Sequence, residues 1–433
     1  MNIYDYQAAF GAADITSRPM KKAMERWKKL YYQQSETLGT DPCQRIAYTV
    51  VSKLKRAVFA EYSATAADEV TAAWLKTLEK YKETALEMAL SGGECYLKPY
   101  PHGAGFSYAL IPRSNVLVFA RDRDGDPTDI GCVERITQGK FYYTLLERRT
   151  RVGDKLVIEN KLFRAASRES LGQQVRLREC AAYASLPEKW QYTLDHLGLV
   201  RMKCPTANCV DGSRDGVAVF APAAQLISRI DANEAQLAGE FERGQSRIFV
   251  SSDLLDADKN LTENIFVGLD EDPETVGITV FSPQLREQSF LARKQEYLRN
   301  IESVVGLKRG MLCEVNESLR TATEITASQV DYNLTVMEFQ AMWQRAAEEV
   351  LKLCKLLSGL YGLPQGETAV TFDWGNGVLF DEEKVWADYM AMAEKGLIAP
   401  EVALGWRFGM KAETEADRAE IRRRLMPAAT GDQ

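Results

Sequence analysis

The chain opens with apolar residues at helical spacing from Arg18 to Gly92. The recurring positions are Met24, Trp27, Leu30 and Tyr31, then Ile46, Val50, Leu54 and Val58. Asp41-Pro42 separates these two helices, and a third helix, from about Ala66 to Leu90, ends at Ser91-Gly92-Gly93. Residues 1–92 are therefore predicted to form a helical layer.

At Gly93 the pattern changes to short runs typical of strands, which are Cys95 to Tyr100, Phe106 to Ile111 and Val116 to Ala120. Alternating apolar positions on both sides of Val152-Gly153-Asp154 predict a hairpin; they are Phe141, Tyr143 and Leu145, then Leu156, Ile158 and Leu162. Residues 93–221 are thus predicted to be a β-rich module. The pattern assigns no structure to the polar stretch from Ser167 to Gly212.

Helical spacing returns at Pro222 and stops at Gly244, and a short strand over 247–250 follows. Residues 251–282 are acidic and rich in turn residues, with two apolar islands, and we interpret them as a protruding insertion. A helix over 283–305 is predicted next. Its signals are Ser282 as N-cap, Pro283 in the first turn and Gly306 as the C-terminal stop.

Residues 306–320 contain two glycines and mixed charge, so they are predicted to form a loop. Thr321 and Glu324 form a capping box, and the apolar spacing that follows predicts one helix to Tyr361, ~40 residues and roughly 60 Å long. A helix of this length usually crosses a whole particle or packs beside copies of itself. Two or three shorter helices are expected within 380–433, and the fold class is α+β, mainly helical.

At 433 residues the chain exceeds the ~250 to 300 at which a single core stops growing, so more than one core or an elongated architecture is expected. No apolar run reaches the ~18 residues of a membrane span, and the first residues do not have the pattern of a leader. We therefore expect a soluble protein with no membrane partner, and no segment is expected to direct it out of the cytoplasm. The eight dispersed cysteines are interpreted as reduced thiols.

A net charge of −7 argues against a basic face that grips nucleic acid, although it permits a surface past which DNA slides. The two histidines make His-dependent catalysis a weak hypothesis. The sequence has no Gly-x-x-x-x-Gly-Lys-Ser/Thr loop, Gly-x-Ser-x-Gly elbow or His-Glu-x-x-His helix, which excludes the commonest ATPase, serine hydrolase and zinc protease sites. No catalytic residue is predicted.

Three segments could hold a metal, yet each has a simpler interpretation. Cys204 and Cys209 lack the second pair of ligands that zinc requires. Asp122 to Asp129 lacks the glycine and glutamate of a calcium loop and suits a hairpin turn, and Asp270 to Glu274 suits a solvated acidic loop. The Tyr31-Tyr32 and Tyr142-Tyr143 pairs suit packing better than stacking on bases. We predict no metal and no cofactor.

Ordered motifs over roughly residues 20–400 resemble the portal proteins of siphovirus-type tailed bacteriophages. They are residues 92–100 (GGECYLKPY), 142–147 (YYTLLE), 158–163 (IENKLF), 226–231 (LISRID), 247–250 (RIFV) and 321–325 (TATEI). The resemblance implies a non-enzymatic subunit of a twelvefold ring at one capsid vertex, through which double-stranded DNA is packaged and ejected. It also implies docking to terminase, then to head-completion or adaptor proteins, and contact with the major capsid and scaffolding proteins.

In such a ring the segments have implied places. The wing would comprise 1–92, 93–221 and the long helix in 321–379; the stem 222–250 and 283–305; the clip 251–282; the channel loop 306–320; and the crown 380–433. Lys308, Arg309 and Arg320 flank the loop and are candidates for transient, sequence-independent phosphate contact, with solvated loop charges as the alternative.

Two other functions stay open at this point. The chain could be another structural phage head component, such as a minor capsid protein without a channel role. Alternatively, it could be a hydrolase in which folding brings two carboxylates together.

Overall fold

The computed structural model describes residues 6–32, 42–244, 247–251, 266–269, 279–281, 284–314, 322–375 and 382–426. Contacts divide the chain into a large unit, Met1–Phe59 with Ala64–Phe372, and a small unit, Ala60–Ser63 with Asp373–Gln433. Among the described residues more lie in helices than in strands, and the predicted α+β class is confirmed.

The helices of the large unit are α1 Gln7–Phe10, α2 Arg18–Tyr32, α3 Ile46–Val58, α4 Glu69–Glu79, α5 Lys82–Gly92, α6 Ala224–Arg243, α7 Glu287–Val305 and α8 Ala322–Tyr361. The strands are β1 Ser63–Ala66, β2 Glu94–His102, β3 Gly105–Pro112, β4 Val116–Arg121, β5 Pro127–Gln138, β6 Phe141–Val152, β7 Lys155–Ala165, β8 Gln173–Val175, β9 Lys189–Thr193, β10 Val200–Lys203, β11 Arg247–Ser251, β12 Phe266–Leu269, β13 Thr279–Phe281 and β14 Val370–Asp373. Short 3-10 turns occur at Arg113–Asn115, Leu177–Glu179, Ala181–Tyr183 and Ala221–Ala223.

The helical layer forms as its apolar spacing predicts, with Trp27 of α2 and Val50 and Leu54 of α3 fully buried. The prediction of a single third helix is wrong, because α4 and α5 are separate helices joined at Lys80-Tyr81. The break lets the Tyr81 ring meet Tyr108 of β3, at 6.2 Å between centroids. The predicted stop is correct, since Gly93 follows α5 in the left-handed conformation.

Two sheets follow the helical layer. In the first, β2 lies between β10 and β3. A Cβ on Gly93 would lie 2.4 Å from the carbonyl oxygen of Gly216, so two backbone segments meet there at a distance that only glycine allows. The second sheet has the order β4-β5-β6-β7-β8, with β9 paired to the other end of β7.

The predicted hairpin is confirmed in the second sheet. Strands β6 and β7 pair antiparallel from Tyr142↔Ala165 to Val152↔Lys155, and Gly153 takes a positive φ at the turn. Tyr143 and Leu145 pack into one buried cluster, whereas Leu146 packs into another with Phe10 of α1. Both faces of the sheet therefore contribute residues to buried clusters.

The segment between α6 and α7 contains a three-stranded sheet. Central β11 pairs parallel with β12 and antiparallel with β13. The predicted strand over 247–250 and the two apolar islands of the insertion supply these strands.

The long helix predicted after the loop is confirmed, since α8 spans 40 residues. Its buried positions face the helical layer and β2 and include Val336, Phe339, Trp343, Ala347, Val350 and Cys354. Trp343 meets Phe59 edge-on at 5.7 Å between ring centroids. The small unit contains α9 Glu382–Glu394, α10 Pro400–Arg407 and α11 Glu415–Leu425, which agrees with the predicted short C-terminal helices.

Candidate functional site

Helices α6 and α7 form the frame of the candidate site and run antiparallel. Glu240, late in α6, accepts from Arg286 at the start of α7 at 2.6 Å, and Glu234, earlier in α6, accepts from Lys294 at 3.1 Å. Next to Glu234, the buried Asn233 donates its amide to the carbonyl oxygen of Phe290 at 3.1 Å. A buried amide needs such a partner, so this bond fixes the relative position of the two helices.

The prediction that Ser282 caps α7 is wrong. The helix begins at Glu287, and Arg286 is its N-cap residue, without a side-chain cap. Arg286 instead forms a bidentate pair with Glu240, and a Cβ on Gly244 would lie 2.3 Å from the Leu285 side chain. These contacts with the end of α6 hold residues 285 and 286, so the helix starts after them. Ser282 and Pro283 lie outside the described residues.

Gly306 ends α7 in the left-handed conformation, at φ 76°, and its N–H donates to the carbonyl oxygen of Glu302. A Cβ at this position would lie 2.3 Å from the Thr335 hydroxyl of α8. Gly306 is thus required both by its backbone angle and by the close approach of α8.

The Glu302 carboxylate anchors the residues that follow Gly306. The side chain is buried, and its Oε1 accepts from the backbone N–H groups of Gly310, Leu312 and Cys313 at 3.1, 2.5 and 3.0 Å. Its Oε2 accepts from the Cys313 thiol at 3.0 Å, and burial together with this bond raises the pKa of Cys313. Backbone donors satisfy a buried carboxylate in this way, so the first part of the 306–320 segment has a defined path.

Arg309 belongs to the same anchor. One of its terminal nitrogens donates to the carbonyl oxygen of Arg299 at 3.0 Å and lies 3.8 Å from the Glu302 carboxylate. Lys308 is half-buried, and it forms no ion pair with any residue that the structure describes. The two adjacent cations, which the sequence analysis treats alike, therefore have different surroundings.

The remaining predicted site residues are only partly covered. Arg320 and Thr321 lie outside the described residues. Helix α8 begins at Ala322, so Glu324 lies in its first turn, but the capping contact itself falls outside the described residues.

Sequence reasoning missed Glu302, although one signal was present. A carboxylate in the last turn of a helix faces the negative end of the helix dipole, which is unfavourable unless donors compensate it. Glu302 occupies that turn of α7, directly before the stop at Gly306. The position therefore indicated a carboxylate with a specific partner.

Sequence reasoning also missed a buried ionic network in the first sheet. Glu94 of β2 is fully buried and pairs with Arg201 of β10 and with Arg113, and Arg113 and Arg121 both pair with Asp215. Burial alone would raise the pKa of Glu94, but the two arginines lower it to about 2. These charges come from distant parts of the sequence, so no local pattern reveals them.

Two of the three segments considered as metal sites can be compared with the structure, because Asp270 to Glu274 lies outside the described residues. Asp122 accepts from the N–H groups of Asp124 and Asp126 at 3.1 and 2.9 Å in the turn between β4 and β5, which confirms the predicted hairpin turn. Cys204 is buried and Cys209 is exposed. Within the described residues, no group of three or more His, Cys, Asp or Glu side chains could hold a metal ion. Tyr31 and Tyr143 are core residues, as predicted for packing.

A family model described as "Phage portal protein, SPP1 Gp6-like" matches residues 60–424. The match covers most of the chain, so the chain belongs to this family of phage portal proteins. The family identified from the sequence motifs is confirmed. Portal proteins are structural proteins that connect head and tail, and the chain is thus a head–tail connector subunit and a virion component.

Two solved structures are similar to the chain at 12% identity. One is titled "Neck of native GTA particle computed with C12 symmetry", with a TM-score of 0.48, and the other "Neck of empty GTA particle computed with C6 symmetry", with a TM-score of 0.47. Each match covers 96% of this chain and 98% of the other. No curated protein matches the chain. In the described part of the chain, no helix is long and apolar enough to cross a lipid bilayer.

Proposed function

We propose that twelve copies of the chain close into a ring around a channel for double-stranded DNA, and that the segment after Gly306 faces this channel. The observation that carries the proposal is the anchoring of residues 310–313 by the buried Glu302 carboxylate. Because a carboxylate fixes residues 310–313, the base of the segment would keep its place while DNA moves through the channel.

In this proposal α6 and α7 form the stem, and the β11–β13 sheet and its connections form the clip. Residues 1–221 and α8 form the wing, and the small unit forms the crown. The order of these segments supports the assignment, since a stem needs two long antiparallel helices and the clip must lie between them. The clip would meet terminase during packaging and head-completion or adaptor proteins afterwards. Assembly in the host cytoplasm with the major capsid and scaffolding proteins belongs to the same proposal.

Lys308 is the best candidate for DNA contact among the three cations of the segment. Arg309 is held by Arg299 and Glu302, whereas Lys308 has no ion pair in the described part of the chain. A lysine ammonium is a point charge that can pair transiently with any phosphate. An acidic chain with few such contacts lets a polyanion move, because tight phosphate binding would stall it.

The ring is tested on the purified chain by size exclusion with light scattering and by negative-stain imaging. The proposal predicts particles of about a dozen copies with an open centre. A particle that stays monomeric or dimeric at high concentration and in the presence of capsid and scaffolding proteins would contradict the proposal.

The contact is tested in particles that package DNA by measuring the packaging rate and the length of DNA retained for Lys308→Ala and for Arg309→Ala. We expect Lys308→Ala to keep the ring and to change the rate of packaging or the length of DNA retained, while Lys80→Ala, an exposed lysine of the wing, serves as the matched control. If Lys308→Ala and Lys80→Ala give the same packaging rate and DNA length, Lys308 has no part in transport.

A further inference from the structure

A cleft of about 620 Å³ lies between the end of β10, the loop over 204–214 and one face of α8. Its volume falls in the range of small-molecule sites, roughly 300 to 1,000 Å³. Four basic side chains line the cleft, and Glu349 is the one acidic residue among its described lining. The basic residues are Arg201, Lys203, Arg214 and Arg345. A cationic concavity is unexpected on a chain with a net charge of −7.

Within the described part of the chain, three of these cations have no ion pair with a carboxylate. Arg201 pairs with Glu94, but Lys203 and Arg214 form no ion pair with any described residue. Arg345 donates its Nε to the carbonyl oxygen of Ala341 in its own helix at 3.1 Å, which leaves its terminal nitrogens for other contacts.

The local electrostatics favour an anion at this place. The pKa of Lys203 is lowered, first by burial and then by the charge of Arg201; the Glu94 carboxylate opposes this shift in part, and Arg214 adds to it. A lysine among other cations loses free energy in the charged form unless an anion joins the group. Glu349 supplies little compensation, because it lies at the surface and its Oε1 is 3.3 Å from His196.

The loop that forms one wall is rigidly held. The Asn208 amide donates to Asp211 at 2.9 Å and to the backbone carbonyl oxygens of Ser213 and Asp215 at 3.2 and 3.3 Å. Its side-chain oxygen accepts from the N–H of Val210 at 2.9 Å. One half-buried amide thus closes the loop, and Arg214 is presented from a preformed wall. Preorganisation of this kind lowers the cost of binding a ligand.

We infer that this cleft is a binding site for a phosphate-type oxyanion, held by Lys203, Arg214 and Arg345. The guanidinium groups suit the paired oxygens of a phosphate, and the lysine adds a point charge. The ligand would be either a free polyphosphate or a phosphate of the DNA backbone. The site is separate from the segment after Gly306, and it does not depend on the proposed channel role.

The test is calorimetric titration of the full chain with inorganic pyrophosphate, at an ionic strength held constant with sodium chloride. We expect saturable binding to the unsubstituted chain and binding at least about tenfold weaker in Lys203→Gln/Arg345→Gln, because two charged hydrogen-bond donors to the anion are lost. The matched control is Lys80→Gln/Lys355→Gln, which removes two exposed lysines elsewhere and should bind as the unsubstituted chain does. A short DNA duplex that displaces pyrophosphate would identify the source as the DNA backbone, and a duplex without effect would identify a free anion.

Binding that is not saturable, or that is equal in the cleft and control variants, overturns the site. The thermal midpoint without ligand checks that each variant folds, and the single Arg345→Gln, at an exposed position, replaces the double variant if that variant unfolds. Light scattering on the same samples separates this inference from the ring. If the unsubstituted chain forms rings but does not bind pyrophosphate, the cleft is refuted and the ring is not. If pyrophosphate does not bind and only the cleft variants fail to form rings, these cations pair with a carboxylate of a neighbouring copy instead.

Discussion

The Cys313 thiol donates to the buried Glu302 carboxylate at 3.0 Å, across eleven positions of the chain. The same carboxylate receives three backbone N–H groups, so one side chain holds the residues that follow α7. We therefore expect Glu302→Ala to lower the free energy of unfolding by roughly 3 kcal/mol, because buried donors are left without a partner. Amide hydrogen exchange at residues 310–313 should become faster. The control is Glu296→Ala, an exposed carboxylate of the same helix, and equal exchange in both variants would contradict the anchor.

Replacing a helix glycine by alanine should have opposite effects on stability at two positions of this chain. Gly306→Ala places a Cβ at φ 76° and against Thr335, and it should destabilise the chain by about 1 to 2 kcal/mol or more. Gly239→Ala lies inside α6, where the nearest atom to a new Cβ is the far end of Arg243 at 3.5 Å, and it should stabilise by about 0.5 to 1 kcal/mol. Urea unfolding measures both. Two changes of the same sign would refute this account of Gly306.

Acid should weaken the buried network around Glu94. The folded state lowers the pKa of Glu94 from 4.5 to about 2, so its stabilisation is complete above about pH 4.5 and is lost as the pH falls towards 2. Glu94→Gln should therefore cost roughly 3 kcal/mol at pH 7 and progressively less below pH 4. Urea unfolding at several pH values measures the difference. A difference that stays constant from pH 7 to pH 3 would show that Glu94 is not held as described, and Glu83→Gln controls for the loss of one exposed charge.

The cysteines should differ sharply in reactivity. Cys209 is exposed, whereas Cys95, Cys132 and Cys354 are buried, and burial raises the pKa of each of these three thiols to about 12. The thiolate is the reactive form, so iodoacetamide at pH 8 should modify Cys209 in the folded chain and the three buried thiols after unfolding. Mass spectrometry of the peptides gives the order. Early modification of Cys95 would indicate that the β2 region opens.

Substitution of Lys308 and substitution of Arg309 should have different effects on the free energy of unfolding. Arg309→Ala removes a donor to Arg299 and a charge near Glu302, and we expect a loss of about 1 kcal/mol or slightly more. Lys308→Ala should change the free energy of unfolding by less than ~0.5 kcal/mol. Equal losses in urea unfolding would mean that Lys308 is also part of the anchor.

The sequence predicted those parts of the fold that depend on neighbours along the chain. The spacing of apolar residues located α8, and the glycine turn located the β6–β7 hairpin, because both signals depend on residues close together in the sequence. The start of α7 was misplaced because a distant residue, Glu240, holds Arg286 and delays the helix. Glu94 and Arg201 are separated by 107 positions, so their pairing depends on the folded sheet. At the candidate site the sequence located the end of α7 at Gly306, but only the folded structure distinguishes Arg309 from Lys308.

Helix α8 is held in the core by buried residues from Val336 to Leu357, and it reaches back to Ala322 as one continuous element. A rod of 40 residues is roughly 60 Å long, so a tilt of about 5° at one end displaces the other by about 5 Å. Strands β2 and β10 pack on this helix, and Arg345 on its side lines the basic cleft. A rigid-body displacement of the first turns of α8 would therefore also displace the residues of α8 that contact this sheet and line the cleft.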